Sequence, residues 1–306
     1  MGLTGIILTV KFQLKKIPSS YIRQKQVKAV DLDELIRLFE ENKNYTYSMA
    51  WMDCLSSGKK FGRGILMLGE HAELEDLPAG VANNPFKVHS DAKLTIPFNF
   101  PSFVLNKYTI KAFNWLYYYK NLKRVQDNIV HYDGFFYPLD NIRHWNRMYG
   151  KSGFLQYQFV LPLEQLSVLK IIIATIASRQ QGSFLSVLKV FGPQDDLFSF
   201  PREGYTLALD FPLKKGVMEL LNELDELVLE SGGRLYLTKD ARMKTEFFRK
   251  TYPHLDEFTE IVHKYNPGSR FRSAQSERLS IMDFTNVQSL LHNEEKVIKK
   301  AAESPE

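Results

Sequence analysis

Three groups of residues in this chain have types and spacings that could do chemistry. Lys239 and Asp240 follow Arg234–Thr238, RLYLT, which reads as a short strand entering a turn. Gly232 and Gly233 stop the helix before it and let the backbone turn sharply. A lysine at the mouth of a buried strand can sit beside an electron-poor ring or a negative intermediate; the competing reading is a solvated lysine after a strand. Gln156 and Gln158, in QYQF, are two apart, which puts both amides on one face of a strand. Buried amides need partners, and Lys189 falls on a neighbouring strand of the same run. Amides and lysines together on a sheet make a floor for a polyhydroxyl ligand such as a sugar. Metal chemistry has no comparable support. His71, His144 and His263 have no carboxylate or histidine at a useful helical offset, and the single cysteine, Cys54, excludes a disulfide framework or a Cys-rich site. No Walker loop, G-x-S-x-G or G-x-G-x-x-G occurs, and the GRG at Gly62–Gly64 reads as structural.

The elements that must position these groups are clearest in the second half. Leu155–Val160 is a strand, Pro162 starts a helix over Leu163–Gln180, and Phe184–Phe191 and Tyr205–Phe211 are strands. Lys215–Ser231 is a helix with Val217, Leu220, Leu221, Leu224, Leu227 and Val228 on one face, and Arg234–Thr238 closes the set. That order is βαββαβ, the ferredoxin-like arrangement, in an α+β fold. Upstream, Tyr21–Val30, Leu32–Asn42, Thr46–Leu55 and Gly62–His71 give strand, helix, strand, strand, with Asp31 as a helix cap. No convincing sequence repeat links the two runs. Ile6–Leu14 alternates like a strand but has no partner nearby, which suggests a chain that begins mid-sheet. A long connection spans 72–101, with a short strand at Lys93–Ile96. Lys107–Leu122 is a helix with an aromatic face (Tyr108, Phe113, Trp115, Tyr117, Tyr118, Tyr119) read as core packing. Asn128–Gly150 reads as an aromatic packed loop ending in a short helix. Helices are expected at Thr245–Tyr252, Leu255–Tyr265 and Asp283–Glu306.

At 306 residues the chain is long enough for one large domain or two ordinary ones. Its net charge of +5 is spread rather than run together, so nucleic acid is not an expected partner; a basic pocket for an anionic substrate, or peripheral attraction to an anionic membrane, fits better. Met1–Val10 lacks the basic start and cleavage site of a secretory leader, and the lone cysteine suits a reducing compartment, so a cytoplasmic location is expected.

Several longer stretches carry a resemblance. GLTGII (Gly2–Ile7), YSMAWMD (Tyr47–Asp53), FFYPLD (Phe135–Asp140), WNRMYG (Trp145–Gly150), LQYQFVLP (Leu155–Pro162), SFLSVLKVFG (Ser183–Gly192), LDFP (Leu209–Pro212), GGRLYLTKDAR (Gly232–Arg242) and FRS (Phe271–Ser273) resemble the FAD-linked oxidases of the vanillyl-alcohol-oxidase type. Within that family the sugar-oxidising branch is nearest, and aldonolactone oxidases lie further off. The resemblance implies oxidation of a sugar or sugar-lactone hydroxyl by hydride transfer to FAD. It divides the chain into the last strand of an FAD-binding domain (1–16), a ferredoxin-like substrate cap (17–233), a return segment of the FAD domain (234–282) and a tail (283–306). Lys239 matches the family's lysine beside flavin and substrate. Gly5, Ile6 and Tyr236 match flavin contacts, and Trp51, Gln156, Gln158, Lys189 and Phe191 match the cap's substrate pocket. Some relatives carry a cysteine where this chain has Ala208, so thiol chemistry is not expected there. The glycine-rich pyrophosphate loop of the family has no counterpart, and no other Gly-rich helix start replaces it. The implied expectations are a truncated member, one half of a split enzyme or a gene fragment, with a separate chain bearing the FAD half and FAD that this chain alone does not retain. An inert remnant serving as a cap-like binding or assembly module is the competing class.

Overall fold

The computed structural model describes residues 2–88, 94–101, 103–194 and 197–281. The first run of elements is β1 (Tyr21–Ala29), α1 (Leu32–Glu41), β2 (Tyr47–Met52) and β3 (Gly64–His71). Asp31 caps α1 by accepting from the Glu34 backbone N–H, and Asp33 and Glu34 in the first turn favour the helix dipole. Next come α2 (Ala79–Ala82), β4 (Leu94–Thr95), α3 (Lys107–Tyr119), β5 (Val125–His131), α4 (Tyr132–Phe136) and β6 (Ile142–Arg143). The second run is β7 (Phe154–Leu161), α5 (Leu166–Arg179), β8 (Ser186–Phe191), β9 (Gly204–Pro212), α6 (Val217–Glu230) and β10 (Arg234–Leu235). It is followed by α7 (Thr245–Thr251), α8 (Leu255–Tyr265) and α9 (Ala274–Arg278).

Eight strands form one sheet in the order β10-β7-β9-β8-β2-β3-β1-β5, every neighbouring pair antiparallel. The order has an internal symmetry. Read outward from the centre, β8-β9-β7-β10 and β2-β3-β1-β5 follow the same connectivity, and the two halves join through Ala50↔Leu188 and Trp51↔Val187. Period-two alternation sorts the strand residues onto two faces. One face carries Tyr157, Phe159, Leu161, Leu188, Leu207, Leu209 and Phe211, and packs with the apolar stripes of α1, α5 and α6 into the main core. On the other face Trp51, Ile65 and Tyr118 form a separate cluster, so α3 lies opposite α1. A buried polar pin holds α3 there. Arg63 Nε and Nη2 donate to Asp53 Oδ2 (3.1 and 2.9 Å), and Asn114 Nδ2 of α3 donates to Asp53 Oδ1 (2.8 Å).

Several expectations are corrected. The strand expected at Ile6–Leu14, taken as the last strand of an FAD domain over 1–16, is not formed. The segment has no ladder partner, and Ile6, Ile7, Leu8, Val10, Phe12 and Leu14 are exposed; alternation alone does not hold a strand whose N–H and C=O groups find no ladder. The strand at Arg234–Thr238 is shorter: only Arg234 and Leu235 pair with β7, and Leu237–Lys239 turn as a 3₁₀ helix. Val125–His131, placed in part within an irregular loop, is a full edge strand on β1. The short strand near Lys93–Ile96 is Leu94–Thr95, parallel to Ile142–Arg143. The helix expected at Asp283–Glu306 lies outside the described residues.

Candidate functional site

The sheet register brings the two glutamines to one floor. On β7, Tyr157 and Phe159 point into the core, so Gln156 and Gln158 point to the opposite face. There Gln156 pairs with Asp210 of β9 and Gln158 with Ala208. Across β9, Ala208 pairs with Val187 and Thr206 with Lys189 of β8, so Lys189 and Phe191 share this face with the glutamines. Trp51 lies on it too, through its pairing with Val187. Gln156 Nε2 donates to Asp210 Oδ1 (3.1 Å), and Gln158 Nε2 donates to Thr206 Oγ1 (3.0 Å). Tyr149, on the 3₁₀ turn Trp145–Tyr149, donates its hydroxyl to Asp210 Oδ2 (3.4 Å). Ala208 is the one position of β9 that is not buried, and its small side chain lies between Gln158 and Val187 across the two ladders.

Lys239 arrives from the adjacent edge. Tyr236 N–H donates to the Gln158 carbonyl (2.9 Å), carrying the β7–β10 ladder one residue on, and Lys239 N–H donates to the Tyr236 carbonyl (3.0 Å) to close the turn. Gln275 of α9 donates to the Leu237 carbonyl (2.6 Å) and braces the turn from behind. Asp240 does not face the site. It accepts from the Arg242 and Met243 backbone and from Arg278 Nη2 (2.9, 2.6 and 2.6 Å), so it acts as a loop cap.

The electrostatics follow from partial burial. Burial lowers the pKa of the Lys239 ammonium; Asp210 opposes this and Lys189 adds to it. Burial also lowers the Lys189 pKa. Burial pushes the Asp210 carboxyl up to about 6, against the hydrogen bond from Gln156, the charge of Lys239 and the hydrogen bond from Tyr149. Burial and the neighbouring Asp210 raise the Tyr149 phenol, so it stays a donor. The result is two cations, one tunable carboxylate and two oriented amides on one face.

Two hollows adjoin this floor. One of about 220 Å³ is lined by Tyr47, Met49, Phe135, Phe136, Lys189 and Phe191. The other, about 390 Å³ and almost wholly apolar, is lined by Trp51, Ile110, Phe113, Tyr117, Met148 and Phe184 among others. Trp51 is 4% exposed and donates Nε1–H to the Phe184 carbonyl (3.1 Å), so it lines the apolar hollow rather than the glutamine floor. Phe184 stacks on Tyr149, which touches Asp210, so the hollow and the floor share a wall. A cleft of about 810 Å³ near Pro162, Arg202 and Arg234 contains none of the candidate residues.

The remaining candidates divide. Tyr236 stacks on Phe200 (centroids 4.6 Å apart) beside Lys239. Gly5 and Ile6 are not packed into the cluster: nothing lies within 4 Å of a Cβ built on Gly5, whose φ is +144°, and Ile6 is 75% exposed. Sequence reasoning missed Asp210, Thr206 and Tyr149. The sequence marks Asp210 only as the one acid in an otherwise apolar strand; its pairing with Gln156 comes from the register. Among the described residues no group of His, Cys, Asp and Glu could hold a metal ion, and no helix is long and apolar enough to cross a membrane.

No family model matches the sequence. The chain is 38% identical over 284 residues to decaprenylphosphoryl-β-D-ribose oxidase of Mycolicibacterium smegmatis, an alignment covering 92% of this chain and 62% of that protein. It is 29% identical over 290 residues to an uncharacterized protein of Streptomyces coelicolor, covering 92% and 78%. The chain thus spans about three fifths of the length of the first of these relatives. Among solved structures, it is similar to a xylooligosaccharide oxidase from Myceliophthora thermophila C1 in complex with xylobiose (10% identity, TM-score 0.48, 85% of this chain and 55% of that one). It is also similar to a VAO-type flavoprotein of the same organism (13% identity, TM-score 0.41, 82% and 46%). The sequence similarity to decaprenylphosphoryl-β-D-ribose oxidase supports an FAD-linked oxidase family for this chain.

Proposed function

We propose that this chain supplies the substrate face of an FAD-dependent oxidoreductase that oxidises a hydroxyl of a sugar or sugar lactone. The observation that carries the reading is the shared floor: Gln156 and Gln158, each tied to an acceptor on β9, with Lys189 and Lys239 on the same side. Two amides and two cations match the hydroxyls and ring oxygens of a sugar, and Ala208 leaves room for the ring. The strand order β10-β7-β9-β8, with α5 and α6 on the core face, is read as a ferredoxin-like cap. The kinship with a sugar oxidase supports the same assignment.

The residues at hand fit the ring end of FAD. Lys239 is a half-buried cation and Tyr236 an aromatic three residues before it, while Gly5 and Ile6 stand outside this cluster. Among the described residues no Gly-rich helix start offers a pyrophosphate cradle; a separate chain carrying the other FAD contacts is proposed as a partner. When bound, FAD supplies the hydride acceptor. Lys239 would hold the substrate oxygen and supply a fixed positive charge to the flavin end of the site, which its partial burial strengthens. Gln156 and Gln158 orient the sugar, and the aromatic wall of Tyr149 and Phe184 excludes water from one side.

The test is the visible spectrum. Protein purified with excess FAD should show flavin absorbance between about 350 and 500 nm that bleaches anaerobically with a pentoside or aldonolactone and is lost on gel filtration. Bound flavin that no sugar, polyol or lactone bleaches would overturn the assignment; flavin retained stoichiometrically would remove the need for a partner chain.

A further inference from the structure

The Gln156 amide of β7 has a fixed polarity, and it is set from β9. Gln156 sits directly across the ladder from Asp210, a residue 3% exposed. Asp210 is itself held, through Tyr149 O–H to Oδ2 (3.4 Å) and through its backbone N–H to Ser183 Oγ (3.2 Å). A carboxylate only accepts hydrogen bonds, so Gln156 must turn Nε2 inward (3.1 Å), which points Oε1 away from Asp210. Thr206 Oγ1 accepts from Gln158 Nε2 (3.0 Å), but a hydroxyl also donates, so this contact anchors Gln158 without dictating which end of its amide faces β9. Among the described residues no donor reaches either Oε1, and neither oxygen is a buried unpartnered atom, so both are open on the ligand side.

We propose that Asp210 is a positioning residue: it fixes Gln156 so that this face offers that amide's oxygen as an acceptor for a ligand's hydroxyl protons, beside the anchored amide of Gln158. The proposal rests on the sugar-oxidising reading and specifies its selectivity. An amide acceptor at this point favours a hydroxyl over a ketone. Oxidising the carbinol that bears it, with the C–H hydride passing to the flavin and the O–H proton to solvent, turns a donor into a carbonyl acceptor facing an amide oxygen. The product is therefore held less tightly than the substrate. The charged and titratable groups facing Asp210 are Lys239 from the turn after β10, Lys189 from β8 through its effect on Lys239, and the Tyr149 phenol. Below about pH 6 the protonated carboxyl can donate to Gln156 Oε1, which frees the amide to turn over.

The experiment follows the side-chain amide resonances of Gln156 and Gln158 by ¹⁵N NMR of the full chain, assigned by their loss in Gln156→Met and Gln158→Met. Gln156 should shift between pH 8 and pH 5 with an inflection near that of the Asp210 carboxyl carbon, and Gln158 should stay still. Asp210→Asn should remove the inflection, and Tyr149→Phe, which keeps the carboxylate–amide contact, should retain it. With D-arabinitol as probe, lowering the pH from 8 to 5 should weaken binding to the wild type roughly two- to tenfold, as for one lost hydrogen bond, and leave Asp210→Asn unchanged. Gln156 resonances indifferent to pH and to Asp210→Asn would overturn the proposal. Should Asp210→Asn fail to fold, the wild-type titration and Tyr149→Phe still decide it. Arabinitol that binds at no pH counts against the sugar reading instead, and the amide shifts then judge this inference alone.

Discussion

Asp210 shows what a site residue costs a fold. Its carboxyl is raised from 3.8 to about 6 in the folded chain, chiefly by burial. A folded pKa above the unfolded one means that the folded state prefers the protonated form. Its contribution to stability is therefore complete below about pH 4 and is lost as the pH rises from there to about 6. The loss is on the order of 2–3 kcal/mol. Asp210→Asn should raise the melting temperature at pH 8, and the gain should vanish by pH 4; calorimetry at the two pH values checks both. Ala208 makes a second residue-level prediction. Ala208→Phe puts a large ring between Gln158 and Val187 at the one position of β9 that is not buried, so the variant should fold with wild-type circular dichroism while arabinitol binding is lost. The glutamine pair was legible because period two is a strong signal in a short apolar strand. Asp210 and Thr206 were not singled out, because their role comes from cross-strand register, and a single strand does not state its register.

At the scale of elements, alternating sequence proved necessary but not sufficient. β7, β8 and β9 were readable because apolar runs of strand length are bounded by Pro162, Gly182 and Gly204. The same alternation at Ile6–Leu14 forms no strand where no ladder receives it. β5, VQDNIVH, was only partly visible because an edge strand with one covered face tolerates Asp, Gln and Asn. The aromatic stripe of α3 was read as core, and the structure divides it. Tyr117 and Tyr118 turn toward the sheet, while Tyr108, Trp115, Leu116 and Tyr119 are exposed beside exposed Lys111 and Lys123. Aromatics interleaved with cations suit the interface of an anionic bilayer. We propose that this face docks there. The chain should co-sediment with phosphatidylserine vesicles and not with phosphatidylcholine ones, and Trp115→Ser with Lys111→Gln should abolish the difference. Equal partitioning to both vesicle types would contradict it.

At the scale of the whole molecule, two four-stranded halves of equal connectivity share one sheet through a ladder of two residue pairs, backed by a core that runs under both. That join was not legible. No sequence repeat marks the symmetry, and a β2–β8 pairing spans more than a hundred residues. Leu188, fully buried at the seam, is expected to cost about 2–5 kcal/mol as Leu188→Ala and to shift one cooperative transition rather than split it; two separated unfolding steps would show that the halves are independent. The seam matters for function because it brings Trp51 and the apolar hollow from one half to the glutamine floor of the other. The most direct test of that combined site is the rate of anaerobic flavin bleaching by a sugar, measured by stopped flow in the FAD-loaded protein, with its partner chain if one is needed. Lys239→Met removes the charge beside the floor and keeps the length, and Lys151→Met removes an exposed charge elsewhere. Lys239→Met should slow bleaching about a hundred- to thousandfold, the scale of one lost preorganised charge, while Lys151→Met stays at the wild-type rate. Equal rates for the two variants would contradict the account.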